Sequence, residues 1–168
     1  MGFFSWLFGT NKNNTPQIPT ILPDIAKKEV LCGRLPEINV NTLFLRRGEI
    51  CHYADRAMWE KVKTKKITHR YSGGHSTPGL LKGNRWYAGS STSFSEDVQD
   101  IQHIKGILYV TNRRIIFSSQ NEGFDKEYKD LSAVQPYANC IELQFGKDVF
   151  KIFVPDGNVA NMVIHMLQ

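Results

Sequence analysis

The sequence predicts a mainly β protein, a small barrel of about seven short strands with one α-helix closing its C-terminal end. Three observations carry this. The run Gly106-Ile107-Leu108-Tyr109-Val110-Thr111-Asn112-Arg113-Arg114-Ile115-Ile116-Phe117 sets two β-branched and aromatic segments on either side of a polar hinge, the pattern of a central β-hairpin. Short apolar segments separated by turn residues recur along most of the chain, as in a barrel or sandwich. After the last of them, Val159, Met162, Val163, Met166 and Leu167 fall at helical spacing on one face.

The elements follow in order. Residues 10–20 are polar and contain Pro16 and Pro19, a linker composition. Pro23-Asp24 through Cys32-Gly33 has proline at a first turn and glycine past the end, predicting a short helix over 24–32. Strands are expected near 50–56, 62–71, 85–91, 107–110, 114–118, 124–128, 139–145 and 149–154. Turn signals between them include Ser72-Gly73-Gly74, Lys82-Gly83-Asn84, Asn121-Glu122-Gly123 and Gly146-Lys147-Asp148. Asn112 is expected at a tight turn that needs a residue tolerant of φ > 0. Pro155-Asp156-Gly157-Asn158 ends the last strand and supplies a capping side chain for the helix.

The hairpin Gly106–Phe117 resembles the G-x-L-x-x-T-N-x-R-(apolar)-x-F element of PH-like domains, in particular the GRAM-like and bacterial PH-domain group. Leu45-x-x-Gly48-Glu49-Ile50 and Tyr128-Lys129-Asp130-Leu131 leading into Ile141-Glu142-Leu143 are similar to segments of the same group. The resemblance covers about residues 44–168. It implies a PH-like domain over 21–168, preceded by an apolar arm and linker over 1–20. It also implies a bacterial or mobile-element setting and a non-catalytic binding role. PH-like folds serve many unrelated ligands, so the fold leaves the ligand open.

Composition sets the outer bounds. The chain has 168 residues, a net charge of +5 and 41% hydrophobic residues, enough for one domain with a core. Cys32, Cys51 and Cys140 are odd in number and far apart, which argues for a reducing cytoplasm rather than a disulfide framework. No apolar run reaches the ~18–20 residues of a spanning helix. The start of the chain lacks the basic residues and cleavage site of a secretory leader. Trp6 stands where a myristoylation signal wants Ser or Thr.

Catalytic, metal and cofactor sites are all expected to be absent. The Gly-rich stretch Ser72–Gly79 lacks the spacing of a phosphate-cradling loop. Cys51 and His52 are adjacent, so on a strand they point to opposite faces and form no nucleophile–base pair. His69 and His75 have no Cys or carboxylate between them. Acids such as Glu96-Asp97 and Asp125-Lys126-Glu127 read as solvated loops.

Charge patterning is the strongest functional signal. Between Lys61 and Ser95 there is no Asp or Glu, while Lys61, Lys63, Lys65, Lys66, Arg70, Lys82 and Arg85 all fall inside this window. The resemblance places the window on the hairpin that holds a phosphoinositide headgroup in many PH domains. Lys66-Ile67-Thr68-His69-Arg70 departs from the basic pattern used there, so no headgroup site is carried over. Each basic residue near an anionic membrane is worth about 1 kcal/mol, and stable attachment takes a second signal. The apolar leader Phe3, Phe4, Trp6, Leu7 and Phe8 is a candidate for it, either as a membrane anchor or as a contact for a partner protein.

The expected function is therefore a non-enzymatic PH/GRAM-like interaction module in the cytoplasm. It would dock on a protein partner or lie peripherally on anionic lipid at the inner face of the membrane. The alternative is a nucleic-acid-binding basic barrel, with Tyr71, Trp86 and Tyr87 as stacking platforms. A thiol enzyme using Cys51 or Cys140 ranks last. Oligomeric state is left open.

Overall fold

The computed structural model describes residues 17–78 and 85–168, with side chains left out at 75–78, 85–88 and 90. Helix α1 (Asp24–Leu31) comes first, then strands β1 (Cys51–Pro78), β2 (Arg85–Thr111), β3 (Arg114–Ser118) and β4 (Phe124–Glu127). A 3₁₀ turn at Tyr128–Asp130 leads to β5 (Leu131–Pro136), β6 (Cys140–Phe145), β7 (Asp148–Phe153) and helix α2 (Gly157–Leu167). The strands form one sheet in the order β4-β3-β2-β1-β7-β6-β5. Its pairings are antiparallel, with Val110 opposite Ile115, Met58 opposite Phe153 and Cys140 opposite Phe153. The ends of this order, β4 and β5, are not hydrogen-bonded neighbours, so the sheet is open.

The described chain divides into two compact units. One comprises Lys61 and the residues before it, together with His103–Gln168; the other is Val62–Gln102. In the first unit the sheet curls over an aromatic core. Phe124 of β4 lies 4.3 Å from Phe150 of β7 and 6.4 Å from Phe145 of β6, ring centre to ring centre. Trp59 of β1 meets Phe117, Phe124 and Phe150 at 5.5–5.9 Å. Edge-on and tilted pairs of this kind add to the area that the rings bury.

Helix α2 packs on α1, β5 and β6. The Asp156 side chain accepts hydrogen bonds from the Asn158 and Val159 amides, the expected cap. The buried face is wider than the sequence pattern: Ala160 and Ile164 are fully buried with Val159 and Val163, while Met162, Met166 and Leu167 are partly buried against the core. The helix touches α1 as well as the sheet, so more of its circumference is covered than a single stripe.

Several strand expectations change. The segments expected at 50–56 and 62–71 are one continuous strand, and Ser72-Gly73-Gly74 lies inside it rather than at a turn. The segments 85–91 and 107–110 likewise belong to one strand that also takes in 92–106. Residues 92–102 are nearly all exposed, so no buried side marks them as strand. Glu96 and Asp97 lie in β2 and Asp125 in β4, not in loops. Strand β5 falls outside the expected strands. It is a half-buried edge strand with a register shift between Leu131 and Ala133 and Pro136 at its end, so it lacks clean alternation. The Lys82-Gly83-Asn84 turn lies outside the described residues.

Candidate functional site

The hairpin that dominates the sequence is a structural lock. Glu49 is buried and receives a two-pronged contact from Arg114, Nε to Oε1 at 2.7 Å and Nη2 to Oε2 at 3.1 Å. The Arg46 amide donates to Oε2 at 2.7 Å and the Thr111 hydroxyl to Oε1 at 2.8 Å. Arg114 also donates to Asp125 and to the Phe44 carbonyl. Burial raises the Glu49 pKa, but the hydrogen bonds from Arg114, the Arg46 amide and Thr111 outweigh it and hold the carboxyl at about 2.

Asn112 works through its side chain rather than through a left-handed backbone. Among the described residues only glycines have positive φ, which corrects the expected turn geometry. Asn112 Nδ2 donates to the Gly48 carbonyl at 3.1 Å, and its Oδ1 accepts from the Ile50 amide at 3.0 Å. Gly48 sits at φ 75°, a conformation glycine adopts without the Cβ penalty. At the other end of the hairpin, a Cβ on Gly106 would lie 2.3 Å from the Ser118 carbonyl oxygen and 2.7 Å from the Phe117 ring. The residues carrying the family resemblance thus join the Gly48-Glu49-Ile50 segment to the β2–β3 hairpin, and their polar groups are consumed in doing so.

The basic window is divided by the fold. Lys61 belongs to the first unit, ion-paired with Glu122 and 5.1 Å from the centre of the Trp59 ring. Lys63, Lys65, Lys66 and Arg70 belong to the second unit. Lys82 lies outside the described residues, as do the side chains of Arg85, Trp86, Tyr87 and His75. So does the leader Phe3, Phe4, Trp6, Leu7 and Phe8.

Within the second unit, β1 and β2 form a two-stranded ribbon. Alternation sorts its side chains onto two faces. One face carries Lys65 paired with Asp100 at 2.9 Å, His69 stacked on Phe94 at 5.2 Å and Tyr71 stacked on Phe94 at 5.9 Å. Ile67 and Val98 share that face. Lys66 and Arg70 fall on the opposite face with Thr68, which meets Ser95 at 3.2 Å. Both faces are wet: Tyr71 is 62% exposed, Phe94 49%, Ile67 42% and Val98 39%. Because Glu96, Asp97 and Asp100 lie on β2 of the same ribbon, the acid-free window of the sequence is not an acid-free surface. Pairing across the hairpin, invisible in one dimension, is the reason.

Neither Cys51 nor Cys140 is an activated thiol. Cys51 and Cys140 are buried in the sheet, and burial pushes each up to about 11. His52 Nδ1 donates to the Pro36 carbonyl at 2.7 Å, away from the Cys51 thiol, which donates to the Tyr53 carbonyl. No cluster of three potential metal ligands occurs among the described residues, and no helix among them is long and apolar enough to cross a membrane.

Two cavities went unnoticed in the sequence, because each is built from residues far apart in the chain. One, of about 370 Å³, lies beside the segment Gln17–Pro19, over Ala57, Met58 and Gly106, with Arg56 and Lys105 lining it. The other, of about 180 Å³, is lined by Thr20, Lys27, Tyr53, Asp55 and Asp156 among others. Asp55 is buried and holds the N-terminal segment, accepting from the Thr20 hydroxyl and the Ile21 amide at 2.7 Å each. The Tyr53 hydroxyl has no hydrogen-bond partner among the described residues. Burial raises the Tyr53 pKa, and the Asp55 and Asp156 charges add to the effect.

Comparison with family models, with curated proteins and with solved structures returns no match.

Proposed function

We propose that the chain is a non-catalytic interaction module of the PH/GRAM-like kind, its open sheet and C-terminal helix standing for the small capped barrel of that group. In this reading it lies peripherally on an anionic lipid surface at the cytoplasmic side and engages it with the β1–β2 ribbon. One observation carries the reading: an exposed ribbon face sets Tyr71, Phe94, Ile67 and Val98 beside Lys65. Aromatic rings with a polar rim suit the headgroup boundary. The cations of the same ribbon add about 1 kcal/mol each near anionic lipid, and the effect decays within a Debye length. Docking on a partner protein is the second reading, favoured by Glu96, Asp97 and Asp100, which oppose a purely anionic surface.

Co-sedimentation with vesicles of rising anionic lipid content tests the proposal. Binding should rise with anionic content and fall with salt. The triple change Lys65→Glu, Lys66→Glu, Arg70→Glu should abolish it, and Phe94→Ser should weaken it. Protein left in the supernatant at low salt would pass the ribbon to a protein partner. Tight, steeply salt-dependent binding of single-stranded oligonucleotides would favour the nucleic-acid alternative instead.

A further inference from the structure

The 370 Å³ cavity combines an apolar floor with two cations. Its floor is apolar, made by Ile18, Pro19, Ala57, Met58 and Gly106. Arg56 and Lys105, both exposed, line the same space, and neither side chain has an ion pair or hydrogen bond among the described residues. Both cations line one apolar hollow, so an anionic head at its rim could pair with either while an apolar chain covers the floor. A small hydrated anion would leave the floor wet, and a neutral apolar molecule would leave the cations unanswered. The volume holds roughly a dozen water-sized groups and falls at the lower end of small-molecule pockets. Met58 adds a flexible, polarisable thioether to the floor, a side chain that adapts to chains of varied shape.

We propose that this cavity binds a single-chain amphipathic anion of medium length, a carboxylate whose head lies between Arg56 and Lys105 and whose chain lies over Met58. The site belongs wholly to the first unit and does not use the ribbon, so it stands or falls apart from the membrane reading.

The test uses the full chain with 13C-labelled methionine methyls, the Met58 signal being assigned by Met58→Leu. Decanoate, kept below its micelle threshold, should shift the Met58 resonance saturably and leave Met162 and Met166 unmoved. Decanol should bind at least tenfold more weakly. Along hexanoate, octanoate and decanoate, affinity should rise by roughly fourfold per added methylene until the floor is covered. Arg56→Glu with Lys105→Glu, both at exposed positions, should reverse the preference toward decyltrimethylammonium. Equal response to decanol, or an unchanged response in the charge-reversed variant, would overturn the proposal. So would a Met58 signal that ignores decanoate but moves when residues 2–9 are deleted, which would assign the cavity to the chain's own apolar leader.

Discussion

The two units divide β1 and β2 into stretches that the chain puts to opposite uses. Near the core, Tyr53, Leu108 and Val110 are almost completely buried, and Thr111 is paired within the Glu49–Arg114 lock. Among the described residues between Val62 and Gln102, aliphatic and charged side chains stand exposed on both faces, and Tyr71 and Phe94 on one. Two paired strands by themselves bury little and are marginal, whereas a sheet folded over its own core is not. The buried stretches belong to the core, and the exposed stretches leave their side chains to solvent.

Removal of α2 by truncation after Pro155 should do the most damage. Val159, Val163 and Ile164 each bury a side chain worth roughly 1.5–3 kcal/mol, a sum comparable with the whole stability of a domain. The truncated chain should show no cooperative melt by circular dichroism. A melt near the full-length temperature would remove α2 from the core half of the comparison.

Glu49→Gln comes next. It removes the buried charge partner of Arg114, which keeps only the half-exposed Asp125, and should cost about 1–3 kcal/mol. Urea unfolding should show the loss as a lower midpoint at unchanged slope. A loss under about 1 kcal/mol would mean that the lock is dispensable.

Acid should reach the same lock without mutation. Glu49 has a folded pKa lowered from its ordinary value near 4.5 to about 2. Its stabilisation is therefore complete above the unfolded value and is lost as pH falls from about 4.5 through 2, on the order of 3 kcal/mol in all. The wild type should lose stability steeply over that window, and Glu49→Gln should lose less. Parallel pH curves for the two would assign the acid sensitivity elsewhere.

Excision of the ribbon should do least. Replacing residues 64–99 with Asn-Gly, which suits a two-residue hairpin turn, should leave a cooperative melt within a few degrees of wild type while abolishing vesicle binding. If the shortened chain failed to fold, the ribbon would belong to the core.

Much of this was legible in one dimension. The central hairpin, the capped terminal helix and the short α1 each follow from local patterns: a β-rich run broken at Thr111-Asn112, Asp156 ahead of an apolar helical face, and Pro23 before Asp24 with Gly33 beyond. The long ribbon was harder to read. Its residues alternate polar with apolar only weakly, because neither face is buried, and periodicity reports burial rather than extension. Strand β5 escaped for a related reason, its bulge having broken the pattern. Among the candidate site residues, Lys63, Lys65, Lys66 and Arg70 all fall in the Val62–Gln102 unit. Their division between two faces, and the acids set across from them, could not be seen before the strands paired.

By itself the sequence determined the element types where burial leaves a period, the helix cap, the scattered cysteines and the acid-free run. The tertiary structure alone decided what those elements do to one another. Glu49 and Arg114 are 65 residues apart in the chain, as are the Thr20 and Asp55 partners by 35, and neither pair is implied by local pattern. Local propensity acts over a few residues, while desolvation and charge pairing depend on distance in space. Whether a lysine is a ligand for an anion or half of an ion pair is therefore settled only when the strand beside it is known.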